Sequence, residues 1–219
     1  MDIGDYTFGI ISEGPTDQKV IKNILAGFTK NKNISLNALQ PKEGEPGNWD
    51  RVFKYCASEE FKNAFAFNDF IIIQIDTDFM SGDSVGQSYQ IAIKNLETNE
   101  IIEEFKNKFI KLIGSEFYHS FSENILFAIA VTEIECWLLS IYYTDNKASK
   151  EVNCIGTLNS KLNSKFGFTI DKNRKGQTDY AKISKPFLKK KELLKYAKQQ
   201  KSFQLFIDGL TTKLNKKAI

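Results

Sequence analysis

Phe70-Ile71-Ile72-Ile73-Gln74-Ile75-Asp76-Thr77-Asp78 is the stretch whose reading decides the fold. Residues 70–75 are too few for a typical helix and rich in β-branched side chains, which predicts a strand buried on both faces. The run breaks off into two carboxylates, followed by a glycine-bearing loop, FMSGDSVG, at 79–86. Two other apolar runs end the same way. Tyr6–Ser12 (YTFGIIS) leads into Glu13 and the breaker Gly14-Pro15, and Ile125–Val131 (ILFAIAV) leads into Thr132-Glu133-Ile134-Glu135. Ile34–Leu39 is a weaker strand candidate.

Helical spacing fills the intervals between these strands. Val20, Ile21, Ile24, Leu25 and Phe28 follow a proline at a helix start, and Ile102, Phe105, Phe109, Leu112 and Ile113 form one apolar face. A helical stretch is predicted from about Trp49 to Phe65, and CWLLSIYY, 136–143, continues the last strand. Alternation of this kind predicts an α/β domain over residues 1–145, with a mostly parallel central sheet flanked by helices. After that the strand pattern stops. SKPFLKKKELLKYAK (184–198) and KSFQLFIDGLTTKL (201–214) are amphipathic, so residues 146–219 are expected to be a basic, mainly helical extension packed on the domain.

With 219 residues, 42% hydrophobic and eighteen of them Phe, the chain is long and apolar enough for a real core, which excludes a disordered or fibrous protein. The opening MDIGDYTFGI lacks the features of a signal peptide, and no apolar run reaches the ~20 residues of a membrane span, so a cytoplasmic, non-membrane protein is expected. Cys56, Cys136 and Cys154 are odd in number and widely spaced, which predicts reduced, buried thiols rather than disulfides or a zinc site. Charge is unevenly placed. Residues 1–150 carry 14 Lys/Arg against 22 Asp/Glu, and residues 151–219 carry 16 against 5. The acidic part suits a cation and the basic part a polyanion, although a lysine-rich segment is also what a solvated helix surface looks like.

In open α/β sheets ligands bind beyond the carboxyl ends of the strands. Glu13, Asp76, Asp78, Glu133 and Glu135 all fall at that edge, and Asp17 lies on the first turn of the first helix. Carboxylates gathered in one crevice resist ionising together unless a cation neutralises them. The hard cations Mg²⁺ or Mn²⁺ take oxygen ligands and leave positions for phosphate, which points to phosphodiester chemistry. Each motif also has a plain structural role open to it, as a turn, a helix start or a dipole partner.

An apolar strand ending in Glu13-Gly14-Pro15-Thr16-Asp17, followed by one ending in Asp76-Thr77-Asp78, resembles the TOPRIM domain of topoisomerases, primases and OLD-family nucleases. Glu133-Ile134-Glu135-Cys136-Trp137-Leu138-Leu139 resembles a segment of TOPRIM-like proteins met beside ATPases in bacterial defence loci, and Tyr180-x-Lys182 and Phe203-x-x-Phe206 echo their C-terminal region. The resemblance covers residues 6–140 best. It implies a Rossmann-like TOPRIM fold and a Mg²⁺/Mn²⁺-dependent nuclease acting on DNA or RNA, with Glu13, Asp76 and Asp78 catalytic. It further implies metal ligation by Glu13, Asp17, Asp76, Asp78, Glu133 and Glu135, one of the last pair serving structure. For the transition-state lysine of OLD-like enzymes the resemblance gives no fixed position, and Lys182 or Lys185 is the candidate. A role in phage defence, an ATPase partner and a homodimer follow from the resemblance alone.

Rival readings are a phosphatase or sugar transferase using Asp-x-Asp, and a non-catalytic TOPRIM-like scaffold or sensor that partners an ATPase. A phosphatase of the aspartyl-phosphate kind wants its nucleophile on the first strand, where Glu13 stands, and a transferase leaves Glu13 and Glu133/Glu135 unexplained. The chain has no G-x-x-x-x-G-K-[ST], so any ATP hydrolysis through a P-loop belongs to a partner. His119, the single histidine, is expected at the surface or in packing. Trp49, in a polar stretch, packs or stacks on a base.

Overall fold

All residues of β3, Phe70–Asp76, are buried, as a strand covered on both faces by helices requires. β3 runs parallel to β1 (Thr7–Ile11) on one side and to β4 (Ile125–Ala130) on the other, and β2 (Ser35–Gln40) lies parallel on the outer side of β1. Among the described residues the result is a four-stranded, all-parallel sheet of order β2-β1-β3-β4. Phe8 pairs with Phe70, Ile11 with Ile73, and Asp76 with Ala130. This computed structural model describes residues 6–78, 95–171 and 176–217. The glycine-bearing loop at 79–86 lies outside the described residues.

Strand alternation sends Phe8, Ile10, Phe70, Ile72, Leu126 and Ala128 to one face of the sheet and Ile11, Ile71, Ile73, Ile75 and Ile129 to the other. The second face is covered by α2 (Trp49–Cys56), α3 (Glu59–Asn63), α4 (Thr98–Ile113) and α5 (Ser115–Phe121). The helix expected over 49–65 is therefore two α-helices and a 3₁₀ turn at Ala64–Ala66. Ser58 makes the break, since its hydroxyl accepts from the Phe61 amide and starts α3 as a cap.

The first face is covered by α1 (Pro15–Thr29), α6 (Glu135–Tyr142), α7 (Cys154–Phe166), α8 (Gln177–Ile183), α9 (Lys190–Ala197) and α10 (Lys201–Lys217). Leu158, Leu162, Tyr180, Phe187, Phe203 and Phe206 are buried in the same cluster as Phe8, Ile72 and Leu126. The helices after residue 146 thus share the core of the sheet. Trp137 shows how firmly: it stacks on Phe203 at 4.8 Å and Phe206 at 5.7 Å, and its Nε1 donates to Ser202 Oγ at 2.8 Å. Burying one such side chain contributes about 1.5–3 kcal/mol. At Gly27 a Cβ would stand 1.9 Å from the Phe187 carbonyl oxygen, so only glycine lets α1 meet the 3₁₀ turn Lys185–Leu188 this closely.

One expectation from the sequence is overturned. Cys136, in the first turn of α6, and Cys154, the first residue of α7, form a disulfide, with Cα atoms 5.0 Å apart. Cys56 is the free cysteine, and burial pushes its thiol pKa up. The spacing of 18 residues carried no sign of the pair, because it arises from the meeting of two helix starts. No helix among the described residues is long and apolar enough to cross a membrane.

Candidate functional site at the carboxyl edge of the sheet

Strand order reverses between β1 and β3: the chain leaves β1 for β2 on one side and returns to β3 on the other. A crevice opens at such a reversal, beyond the carboxyl ends of the two strands. Glu13 follows β1 and Asp76 ends β3, so both flank that crevice. They are directly joined. Glu13 Oε1 accepts from the Asp76 amide at 2.7 Å, and the Glu13 amide donates to Gln74 Oε1 at 3.2 Å. Gln74 then donates from Nε2 to Asp76 Oδ1 at 2.9 Å, which fixes the orientation of that carboxylate.

A further carboxylate, Glu135, meets Tyr180, on α8. Its hydroxyl donates to Glu135 Oε1, and both residues are fully buried. Burial first, and then the charge of Glu135, hold the Tyr180 pKa well above the usual tyrosine value, with Asp17 and Asp76 acting in the same direction. One protonated phenol therefore feels the carboxylates of α1, β3 and α6 together. Asp17 is 3% exposed, and a methyl at Gly14 would stand 3.2 Å from its Oδ2, so the Gly-Pro turn leaves room for the carboxylate. From the other side Gly47 approaches the Glu13 carbonyl, where a Cβ would stand 2.1 Å from the oxygen.

Thr132 ties the ends of β3 and β4. Its amide donates to Thr77 Oγ1 at 2.8 Å, and its carbonyl accepts from the Thr77 and Asp78 amides, each at 3.0 Å. It does so at φ 66, a left-handed conformation that is strained for a β-branched residue and that concentrates at functional sites. Asp78 is half-buried at this clasp.

Not every predicted site residue joins the crevice in the same way. Glu133 Oε1 accepts from the Ile155 amide at 2.7 Å, capping α7, whose N-cap Asn153 makes no side-chain cap bond. Glu133 also lies with Cys136 and Cys154 in a buried group, all within 4.8 Å, but the two sulfurs are bonded to each other. Lys182 stands with Nζ 4.9 Å from the Phe168 ring centroid and lines a different cavity with Lys185. His119 is exposed in α5, Nδ1 2.6 Å from the Ser115 carbonyl oxygen, and Trp49 packs edge-on to Phe53.

Comparison with protein-family models, with curated proteins and with solved structures finds no match to this chain. The reading of the site therefore stands on its own chemistry. Glu13, Asp17, Asp76 and Glu135 offer oxygen atoms only, and a hard divalent cation suits that set; sulfur and imidazole, which softer metals prefer, are absent from it. Sequence reasoning found the carboxylates but missed how they are held. A signal for Gln74 was present, since one amide in an otherwise apolar buried strand needs a partner.

Proposed function

We propose that the chain is a Mg²⁺- or Mn²⁺-dependent nuclease of the TOPRIM-like kind. The observation that supports this reading is the convergence of Glu13, Asp17, Asp76 and Glu135 on one largely buried locus at the reversal of strand order. Like charges brought together out of water favour either protonation or a cation. Glu13, Asp17, Asp76, Asp78 and Glu135 would hold the ion, and Glu133 serves the α7 cap. The cation supplies Lewis acidity toward phosphate oxygens and lowers the pKa of water.

The chain's own residues preset that site. Gln74 and the Asp76 amide fix the two strand-end carboxylates, and the Tyr180 hydroxyl, held protonated, orients Glu135. The basic C-terminal helices would meet a DNA or RNA backbone through phosphate contacts, which carry affinity without sequence choice. An ATPase partner, a homodimer and a defence role belong to this proposal through the TOPRIM-like resemblance.

The test is calorimetric titration of the protein with Mn²⁺ and Mg²⁺, wild type beside Asp76→Asn. Cleavage of plasmid, single-stranded DNA and tRNA is followed on the same samples. Binding and cleavage that both depend on Asp76 are expected. Binding without cleavage of any substrate would favour the scaffold reading, and a wild type that binds neither ion overturns the metal site.

A further inference from the structure

A second cavity, of about 530 Å³, opens in the helical layer and is lined by none of the crevice carboxylates. Two kinds of side chain dominate it. Lys165, Lys182, Lys185 and Lys189 supply four exposed cations, against one carboxylate, Glu192. Phe166, the last residue of α7, and Phe168, just beyond the Gly167 cap, supply aromatic faces beside them. Lys182 Nζ lies 4.9 Å from the Phe168 centroid and 5.9 Å from that of Phe166, and Lys165 Nζ lies 5.3 Å from the Phe166 centroid.

Each half of this arrangement selects for something different. Exposed lysines alone attract any anion, and an aromatic wall alone accepts any apolar ring. Phe166 is 43% exposed, and an incoming ring would share it with the Lys165 and Lys182 ammonium groups. A ligand that satisfies both halves carries a planar aromatic system and a compact negative group a few ångströms apart, which is the chemistry of a phosphorylated nucleoside. The volume lies in the range of small-ligand sites, about 300–1,000 Å³.

We propose that this cavity binds a nucleotide, with its base against Phe166 and Phe168 and its phosphate among Lys165, Lys182, Lys185 and Lys189. Base stacking on aromatic rings is sequence-tolerant and strong, and the neighbouring ammonium groups add cation–π attraction to the same rings. The site stands independently of the metal reading, since none of Glu13, Asp17, Asp76, Asp78, Glu133 or Glu135 lines it. A free mononucleotide and an unpaired nucleotide of a strand present the same chemistry, and the experiment separates them.

Calorimetry in buffer with EDTA, which keeps the carboxylate crevice metal-free, compares AMP, a short single-stranded oligonucleotide and inorganic phosphate. The intact chain, Phe166→Ala and Lys182→Gln/Lys185→Gln are titrated in parallel. Phe166 is exposed, so its truncation spares the fold, and a thermal melt verifies that. The expected result is that AMP or the oligonucleotide binds more tightly than phosphate. Phe166→Ala should weaken that binding about 5- to 150-fold, the equivalent of about 1–3 kcal/mol for one stacked base. The double lysine variant should weaken it further and flatten its salt dependence. Binding of AMP names a soluble nucleotide, and binding of the oligonucleotide alone names a strand. Phosphate binding as tightly as AMP and the oligonucleotide, an unaffected Phe166→Ala, or no binding by any of the three overturns the proposal.

Discussion

Tyr180→Phe removes one oxygen from a fully buried site and so tests the junction between α8 and the crevice. The ring stays, so packing is preserved. What goes is the hydrogen bond to the Glu135 carboxylate, and bonds to a charged group contribute about 1.5–3 kcal/mol. In a chain of this length each kcal/mol moves Tm by about 2–4 °C, so the variant should melt about 3–12 °C lower near pH 7. The pH dependence has a definite sign. Burial and then Glu135 raise the folded pKa above the ordinary value of 10.0, so the folded state keeps a proton that the unfolded chain releases near that pH. The contribution is fully present below about pH 10 and falls above it by up to about 1.4 kcal/mol per pH unit. Other ionisations are common to both proteins, so the gap between wild type and variant should hold from neutral pH to about 9 and narrow above about 10. Denaturation followed by circular dichroism in EDTA at a series of pH values measures it. Equal stability at neutral pH, or a gap that widens above pH 10, refutes the reasoning.

Glu13 separates structure from charge. Glu13→Gln keeps an acceptor for the Asp76 amide and should cost under about 1 kcal/mol while weakening divalent-ion binding; Glu13→Ala removes the acceptor and should cost about 1–3 kcal/mol in EDTA, both read from chemical denaturation. The disulfide closes 18 residues of chain, and a loop of that length predicts a loss of about 3 kcal/mol in Cys154→Ser. Thiol titration of the denatured protein should find one reactive cysteine before reduction and three after it.

Much of the sheet was legible because β1, β3 and β4 are apolar, β-branched runs that end abruptly in polar residues, and burial on both faces leaves no other reading. The carboxylates at their ends were legible for the same reason: position along a parallel strand fixes which edge a residue reaches. What the sequence hid was every relation between distant residues. The α7 segment, CIGTLNSKLNSKF, buries only Cys154, Leu158 and Leu162, a stripe too thin among Asn, Ser and Lys to announce a helix. Glu133 caps that helix from 22 residues away and Tyr180 reaches Glu135 across 45. Neither distance leaves a local pattern. Ser58 is the opposite case, a local capping signal that the apolar periodicity of 49–65 masked.

The contact between Tyr180 and Glu135 also bears on how such a chain can change over time. The residue that holds a crevice carboxylate sits in the basic C-terminal third, where the described residues form helices and no strand. A recombination crossing near residue 146 would part a buried acid from its phenol and a tryptophan from the rings it stacks on. A change on either side of these contacts is therefore felt on the other.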